Sequence, residues 1–458
     1  MIPDERRRGE LRRVYAAAIE AVHGESVLRA CSALEGGVWR FQRDRRCAAI
    51  DLPRPMGASA GRAGTAGRLR VIGAGKAAAS LARGVERSLA GWLDDGLVVV
   101  KHGHRESLER IQLLEGGHPL PDAASVRAAQ HLLGFVGQPR AEDRFLVLLT
   151  GGASSVLAAP APGLTLEDKI GVTGLLLAAG APIDQINIVR RHLSSIKGGQ
   201  LARRLLPAQF LAIAISDVPD DDPAVIGSGP TLADPSSYTD ALSVIRRHGC
   251  EPGLPPRVAR HLAAGVAGRL PETPKPGSLP GADQSFVVIA TLDDALGAAA
   301  AAAQALGWSV ESLGRCLQGN AHDRAREFAG RLLALRHSRP AGSAPHLLLA
   351  GGEPTLEVRG AGLGGRNQEF ALVLARELSG SVGVTVLVAG TDGTDGPTPH
   401  AGGYADGASW QRAALGGVDP AAGLADNDSS RVLGAAGDLF DTGPTGTNVA
   451  DLVFGVVG

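Results

Sequence analysis

Apolar runs of five to seven residues recur along the chain, and most are followed by a stretch whose apolar positions return at helical spacing. Runs at 69–73, 97–101, 145–150, 210–216, 286–290, 346–350, 384–389 and 452–457 predict strands. Several are almost wholly apolar, which suits strands covered on both faces of a largely parallel sheet. The spacing predicts helices over 76–89, 165–179, 293–306, 321–335 and 366–378. Repeated strand–loop–helix units of this kind imply an α/β protein.

The pattern breaks most clearly at 270–283, LPETPKPGSLPGAD, with prolines at 271, 274, 276 and 280. Such a segment neither continues a helix nor donates to a sheet, so an extended connector is expected. The expected domains are residues 1–270, the larger, a Rossmann-like α/β/α sandwich, and residues 284–458, a second α/β domain. Residues 271–283 are the expected linker between them. A length of 458 residues agrees with two or three domains. Looser stretches at 52–67 and 337–345 precede strands, and no internal repeat is convincing.

Composition narrows the function classes. Apolar residues make up 44% and charged residues 20%, as in ordinary soluble domains. The 46 basic residues are balanced by 47 acidic ones, which argues against a protein built to grip nucleic acid or an anionic membrane. No uninterrupted apolar stretch is long enough for a membrane span. Cys31, Cys47, Cys250 and Cys316 form no C-x-x-C pair, which speaks against a zinc ribbon and a disulfide scaffold. The basic start lacks the apolar run of a signal peptide, so a reducing cytoplasm is expected. Small-molecule substrates are the expected partners, with a homodimer the one assembly carried forward. Only five of the 46 basic residues are lysines, at 76, 101, 169, 197 and 275. A chain that favours Arg this strongly keeps Lys where its chemistry matters, which ranks Lys76, Lys101 and Lys197 first.

Glycine accounts for 63 residues and gathers at strand ends. Gly73-Ala-Gly75-Lys76, Gly151-Gly152-Ala-Ser154-Ser155, Gly351-Gly352-Glu353 and Gly390-Thr-Asp392-Gly393-Thr-Asp395-Gly396 all follow predicted strands. At the carboxyl ends of such strands, backbone N–H groups and helix N-termini can hold phosphate. Lys76, behind two glycines and before a helix, is placed to neutralise one; a solvent-facing lysine is the plainer alternative. Gly73-x-Gly75-x-x-Ala78 imitates a dinucleotide fingerprint, but the next strand ends in Lys101-His102 where a ribose-binding acid belongs. A basic residue there would still suit a 2′-phosphate, so NADPH stays open. Ala77 after Lys76 excludes a P-loop.

Carboxylates collect nearby. Within SDVPDDDPAVIGSGPT, Asp217 and Asp221 are candidates to share a magnesium ion with phosphate oxygens, while Asp220 and Asp222 read as turn residues. Asp392 and Asp395 add two more on a strand-end loop without the spacing of an EF-hand. After Gly364-Gly365, Arg366 opens a helix against its dipole; a bound anion would relieve that conflict, as would a neighbouring carboxylate. Gly57-x-Ser59-x-Gly61 has the nucleophile-elbow spacing but precedes the first strand, so it reads as chance. His118, in EGGHPLPD, reads as structural, and GPTGTNVADL with the last strand is expected to close the cleft.

The segments VIGAGKAA, KHGH, EGGHPLPD, TGGASSVLAAP, IDQINIVRRHLSSIKGGQLA, SDVPDDDPAVIGSGPT, GGEPTLEV, GGRNQE, GTDGTDGPT and GPTGTNVADL stand in this order. Together they resemble the D-glycerate 2-kinases, with their N-terminal glycerate kinase domain and MOFRL-type C-terminal domain, over nearly the whole chain. The resemblance implies transfer of the ATP γ-phosphoryl group to the 2-hydroxyl of D-glycerate, with Mg²⁺, in a cleft between two α/β domains. It places the two essential cations on Lys76 and Arg366. Asp217, Asp392 and Asp395 would hold the ion or orient the hydroxyl, and Lys197 would be a third cation. Gly73, Gly75, Gly151, Gly152, Ser154, Ser155, Gly352, Glu353 and Gly365 would line the substrates. The chain departs from the family pattern at Asp220, where Gly is usual, and near Leu292, where Asn is usual. A reductase of hydroxypyruvate using NADPH and a non-catalytic sensor of glycerate or nucleotide are the alternatives.

Overall fold

The computed structural model describes residues 4–43, 46–53, 67–280, 285–340 and 342–458. The Gly57–Ser59–Gly61 pattern falls outside them. The chain forms two compact units, Gly24–Ile289 and Met1–His23 with Ala290–Gly458.

In the Gly24–Ile289 unit, six strands form one sheet in the order Ile111–Gly116, Leu93–Lys101, Leu69–Ala74, Arg144–Leu149, Gln209–Ile215 and Phe286–Ala290. The first five pair in parallel. Numbered along the sequence, the order is 3-2-1-4-5-6, that of a doubly wound nucleotide-binding sheet. Ile72, Val99, Phe145, Val147 and Ala212 are buried in its core, which is why these strands are apolar at successive positions. Leu166–Ala178, Ile183–His192, Tyr238–Arg247 and Pro256–Val266 pack as a helical layer with its own apolar core. A three-stranded antiparallel sheet, Ser32–Glu35, Val38–Arg43 and Arg46–Asp51, also belongs to this unit.

The other unit holds a mixed sheet in the order Ser309–Ser312, His346–Gly352, Asp451–Val457, Val384–Gly390, Gly402–Asp406 and Leu439–Phe440. Here the expectation of largely parallel strands needs correcting, because Asp451–Val457 runs antiparallel to both of its neighbours. Its first residue therefore lies level with the carboxyl ends of both: Asp451 stands opposite Gly352 on one side and Gly390 on the other.

The two units differ from the expected division at both boundaries. Helix Glu5–Val22 belongs with the C-terminal half, where the Tyr15 hydroxyl donates to the Gly390 carbonyl at 2.8 Å and Arg8 donates to the Gly437 carbonyl. The Pro-rich segment is not a connector between units, because strand Phe286–Ala290 after it completes the first sheet. It is tied down instead. The Asp234 amide donates to the Pro274 carbonyl at 2.8 Å, and the Thr273 hydroxyl donates to Asp234 at 3.1 Å. Among the described residues no helix is long and apolar enough to cross a membrane.

Candidate active site

In a 3-2-1-4-5-6 sheet the chain reverses its winding between the first and fourth strands, and the splayed loops leave a crevice there. These strands are Leu69–Ala74 and Arg144–Leu149, and they end in the loops carrying Lys76 and Gly151-Gly152. The loops are laced together. Lys76 donates its amide to the Gly151 carbonyl at 2.8 Å, and the Ala77 amide donates to the Thr150 hydroxyl at 3.1 Å. The Gly75 amide goes to the Val99 carbonyl. Three amides that the sequence offered to a phosphate are thus already used within the protein, and charge at this loop comes from the half-buried Lys76 side chain.

Gly152 caps the short helix Ala153–Val156 with φ of 81°. A side chain there would strike His118 (2.9 Å to Cδ2) and Lys76 (3.2 Å to Cγ), so glycine leaves room for both groups over the loop. His118, expected to be structural, thus borders the same Gly152 turn as Lys76. On the same turn the Ser155 hydroxyl donates to the Pro119 carbonyl at 2.8 Å, and Ser154 shares a hydrogen bond with Ser228 at 2.9 Å. The buried Lys197 ammonium donates to the Ser154 hydroxyl and to the Ser154 and Gly227 carbonyls. Gly73, Gly75, Lys76, Gly151, Gly152, Ser154, Ser155 and Lys197 are therefore held by the strand ends and turns of one unit.

Asp217 follows strand Gln209–Ile215 and is half-buried. Asp221 takes a left-handed backbone, with φ of 52°. Asp220 is exposed, and Asp222 accepts from the Ala224 amide at 2.9 Å.

In the other unit Arg366 begins helix Arg366–Glu377 and is met by two carboxylates. Its Nε donates to Asp451 at 2.6 Å and its Nη2 at 3.3 Å, while Nη1 donates to Glu353 at 2.5 Å. Burial works against this charge, but Asp451 and Glu353 outweigh it and hold the guanidinium pKa above its ordinary value. The conflict with the helix dipole is thus relieved by carboxylates rather than by an anion between Arg366 and free amides. Asp451 was not legible as a site residue: it precedes an apolar strand, and only the antiparallel register brings it to this edge.

Asp395 requires a further correction. One of its oxygens accepts from the Asn367 amide at 3.1 Å and side chain at 3.3 Å, the other from the Gln368 amide at 2.8 Å and side chain at 3.0 Å. Burial pushes its carboxyl up to about 6 despite these donors. Four donors leave it committed to capping the Arg366 helix, so it is a poor metal ligand. Gly365 makes room for it, since a Cβ there would lie 2.3 Å from the carboxylate. Asp392 is buried and accepts from the Thr394 amide at 3.0 Å. Gly352 ends strand His346–Gly352, and the buried Leu292 packs on Gly351 where the family pattern has Asn.

Among the described residues no three His, Cys, Asp or Glu side chains converge as a metal site. The candidate donors are carboxylate oxygens on strand-end loops. They fit a magnesium ion that takes one or two protein ligands and completes its shell with phosphate and water, but not an all-protein cage.

Residues 10–263 match the model of a domain of unknown function, DUF4147, and residues 346–451 match the MOFRL family. The chain is 42% identical to a protein of Agrobacterium vitis described as a putative hydroxypyruvate reductase, covering 84% of this chain and 86% of that one. It is 38% identical to the D-glycerate 2-kinase of Thermotoga maritima, covering 85% of this chain and 91% of that one. The crystal structure of glycerate kinase from Thermotoga maritima matches all of both chains with a TM-score of 0.79 at 33% identity.

Proposed function

The chain belongs to the glycerate kinase family, and from that premise we propose that it is an ATP-dependent glycerate 2-kinase, with Lys76 as its principal phosphate-binding cation. The observation that carries this reading is the position of Lys76 and Gly152 at the winding reversal of a 3-2-1-4-5-6 sheet.

Phosphoryl transfer needs alignment and charge cancellation more than covalent help. Lys76 neutralises phosphate oxygens at the loop it shares with Gly151 and Gly152. Arg366, its orientation fixed by Asp451, exchanges Glu353 for an anionic oxygen of a substrate. Asp217 orients the attacking 2-hydroxyl and accepts its proton. A magnesium ion, when bound, would supply further charge neutralisation, with Asp221 in the Gly24–Ile289 unit or Asp392 in the other as the carboxylate able to hold it. The cytoplasm is the setting the sequence suggests. The reductase description has less support: strand Leu93–Lys101 ends in Lys101 and His102, and His102 is engaged with Asp122 at 2.8 Å.

The test is incubation with ATP, Mg²⁺ and D-glycerate, followed by chromatographic separation of the phosphoglycerate isomers. The 2-isomer is expected, and a folded Lys76→Met variant should form it with kcat/KM lowered about 100- to 1000-fold. Exclusive 3-isomer would move the acceptor hydroxyl. Oxidation of NADPH by hydroxypyruvate with no ATP consumed would support a reductase, and binding without product a sensor.

A further inference from the structure

The helical layer of the Gly24–Ile289 unit hides a group of cations with no counter-ion among the described residues. Lys169 lies on helix Leu166–Ala178, Arg190 on helix Ile183–His192, and Lys197 in the turn that follows. Lys169 is 9% exposed and Lys197 1%, while Arg190 is partly exposed. The Lys169 ammonium has no hydrogen-bond partner among the described residues. The charges acting on Lys169 and Lys197 are other cations: Arg190 on both, with Lys169 and Arg191 also facing Lys197. Burial and this repulsion push Lys169 down to about 7, and Lys197 well below its ordinary value. Nearby acids are engaged elsewhere, Asp234 by Arg191 at 3.2 Å and Asp168 by Arg257 at 4.0 Å.

A run of hydrogen bonds joins this group to the loop at the winding reversal. Arg190 donates to the Asn187 side-chain oxygen at 3.4 Å, which also accepts from the Ser228 hydroxyl at 3.1 Å. Ser228 meets Ser154, and Ser154 meets Lys197. Ser154 is two residues from Gly152, where an added Cβ would lie 3.2 Å from Lys76 Cγ. Mutually repelling buried cations destabilise a fold, and a bound anion would remove that cost. With Lys76 on one side of the loop for phosphate, the other side is left for the acid group of the acceptor. In D-glycerate the carboxylate is one bond from the carbon bearing the 2-hydroxyl.

We propose that Lys169 and Arg190, with the Lys197 ammonium held by Ser154 adding its charge, form the receptor for the carboxylate of the hydroxy-acid substrate. The proposal deepens the glycerate 2-kinase reading and rests on it. It makes the carboxylate a condition of recognition: glycerol, which offers the same hydroxyls without the charge, leaves the cations unpaired and is rejected.

The test uses initial rates with D-glycerate and glycerol, and melting curves with and without D-glycerate, for the full chain and its Lys169→Met and Arg190→Gln variants. Each variant is expected to raise KM for D-glycerate about 10- to 100-fold, leave KM for ATP unchanged and narrow the preference over glycerol. Lys169→Met should also raise the Tm of the free protein while abolishing the upward shift that D-glycerate gives the unsubstituted chain. An unchanged KM for D-glycerate overturns the proposal, as does a lower Tm with the glycerate shift retained. A rise in KM for ATP instead would assign the cations to phosphate and overturn it equally. If the unsubstituted chain forms no phosphoglycerate, the kinase reading fails, and a glycerate-induced Tm shift that depends on Lys169 still decides the receptor.

Discussion

The two units handle buried positive charge in opposite ways. In the unit that contains the C-terminal half, each buried or half-buried arginine at the centre has acids to match. Arg8 and Arg412 both reach the fully buried Asp438, Arg412 also holds Asp406 at 2.8 Å, and Arg366 is met by Asp451 and Glu353. In the Gly24–Ile289 unit, Lys169, Arg190 and Lys197 act on one another with no such acids among the described residues. A balanced set holds architecture together: Arg8 and Asp438 fasten the N-terminal helix to the sheet it would otherwise leave. An unbalanced set relieves itself by shedding protons or by taking up an anion.

Unbalancing the first set should have the largest effect. Asp438→Ala leaves Arg8 and Arg412 buried without their shared partner and is expected to cost about 3–5 kcal/mol in denaturant unfolding. A change below about 1 kcal/mol would mean that the network adds little and the contrast is overstated. Asp451→Asn is milder, because Arg366 keeps Glu353. It should cost about 1.5–3 kcal/mol. It should also lower kcat/KM with D-glycerate, since Arg366 loses the group that orients it; unchanged kinetics would reduce Asp451 to a structural acid.

Much of this was legible from residue pattern because the signals are local. The buried strands Leu69–Ala74, Arg144–Leu149 and Val384–Gly390 announce themselves as apolar runs, and Gly75 and Gly152 mark turns that need their backbone freedom. Rarity of lysine ranks Lys76, Lys101 and Lys197 together, and of these the fold sets Lys76 at the winding reversal and buries Lys197 against Ser154. What stayed hidden depends on register and on distance along the chain. Asp451 reaches Arg366 only because its strand runs antiparallel between two others, and Arg190 is one arginine among many until helix packing sets it beside Lys169. Asp395 misled for the same reason: its acidity suggested a metal, while the fold spends it on a helix start 28 residues away. The first helix and the Pro-rich segment reversed their expected allegiance because hydrogen bonds made far along the chain decide where a segment belongs.

Calorimetric titration with D-glycerate, in buffers of different ionisation enthalpy, tests the unpaired-cation account most directly. The Lys169 ammonium, whose pKa burial and Arg190 hold down to about 7, is mostly neutral at pH 8, and burial pushes Lys197 well below its ordinary value. A carboxylate arriving beside Lys169 raises its pKa, so binding should take up as much as about one proton at pH 8, and less at pH 6, where Lys169 is already mostly charged. Loss of most of that uptake in Lys169→Met is the predicted result; binding at pH 8 with no proton uptake would contradict the account.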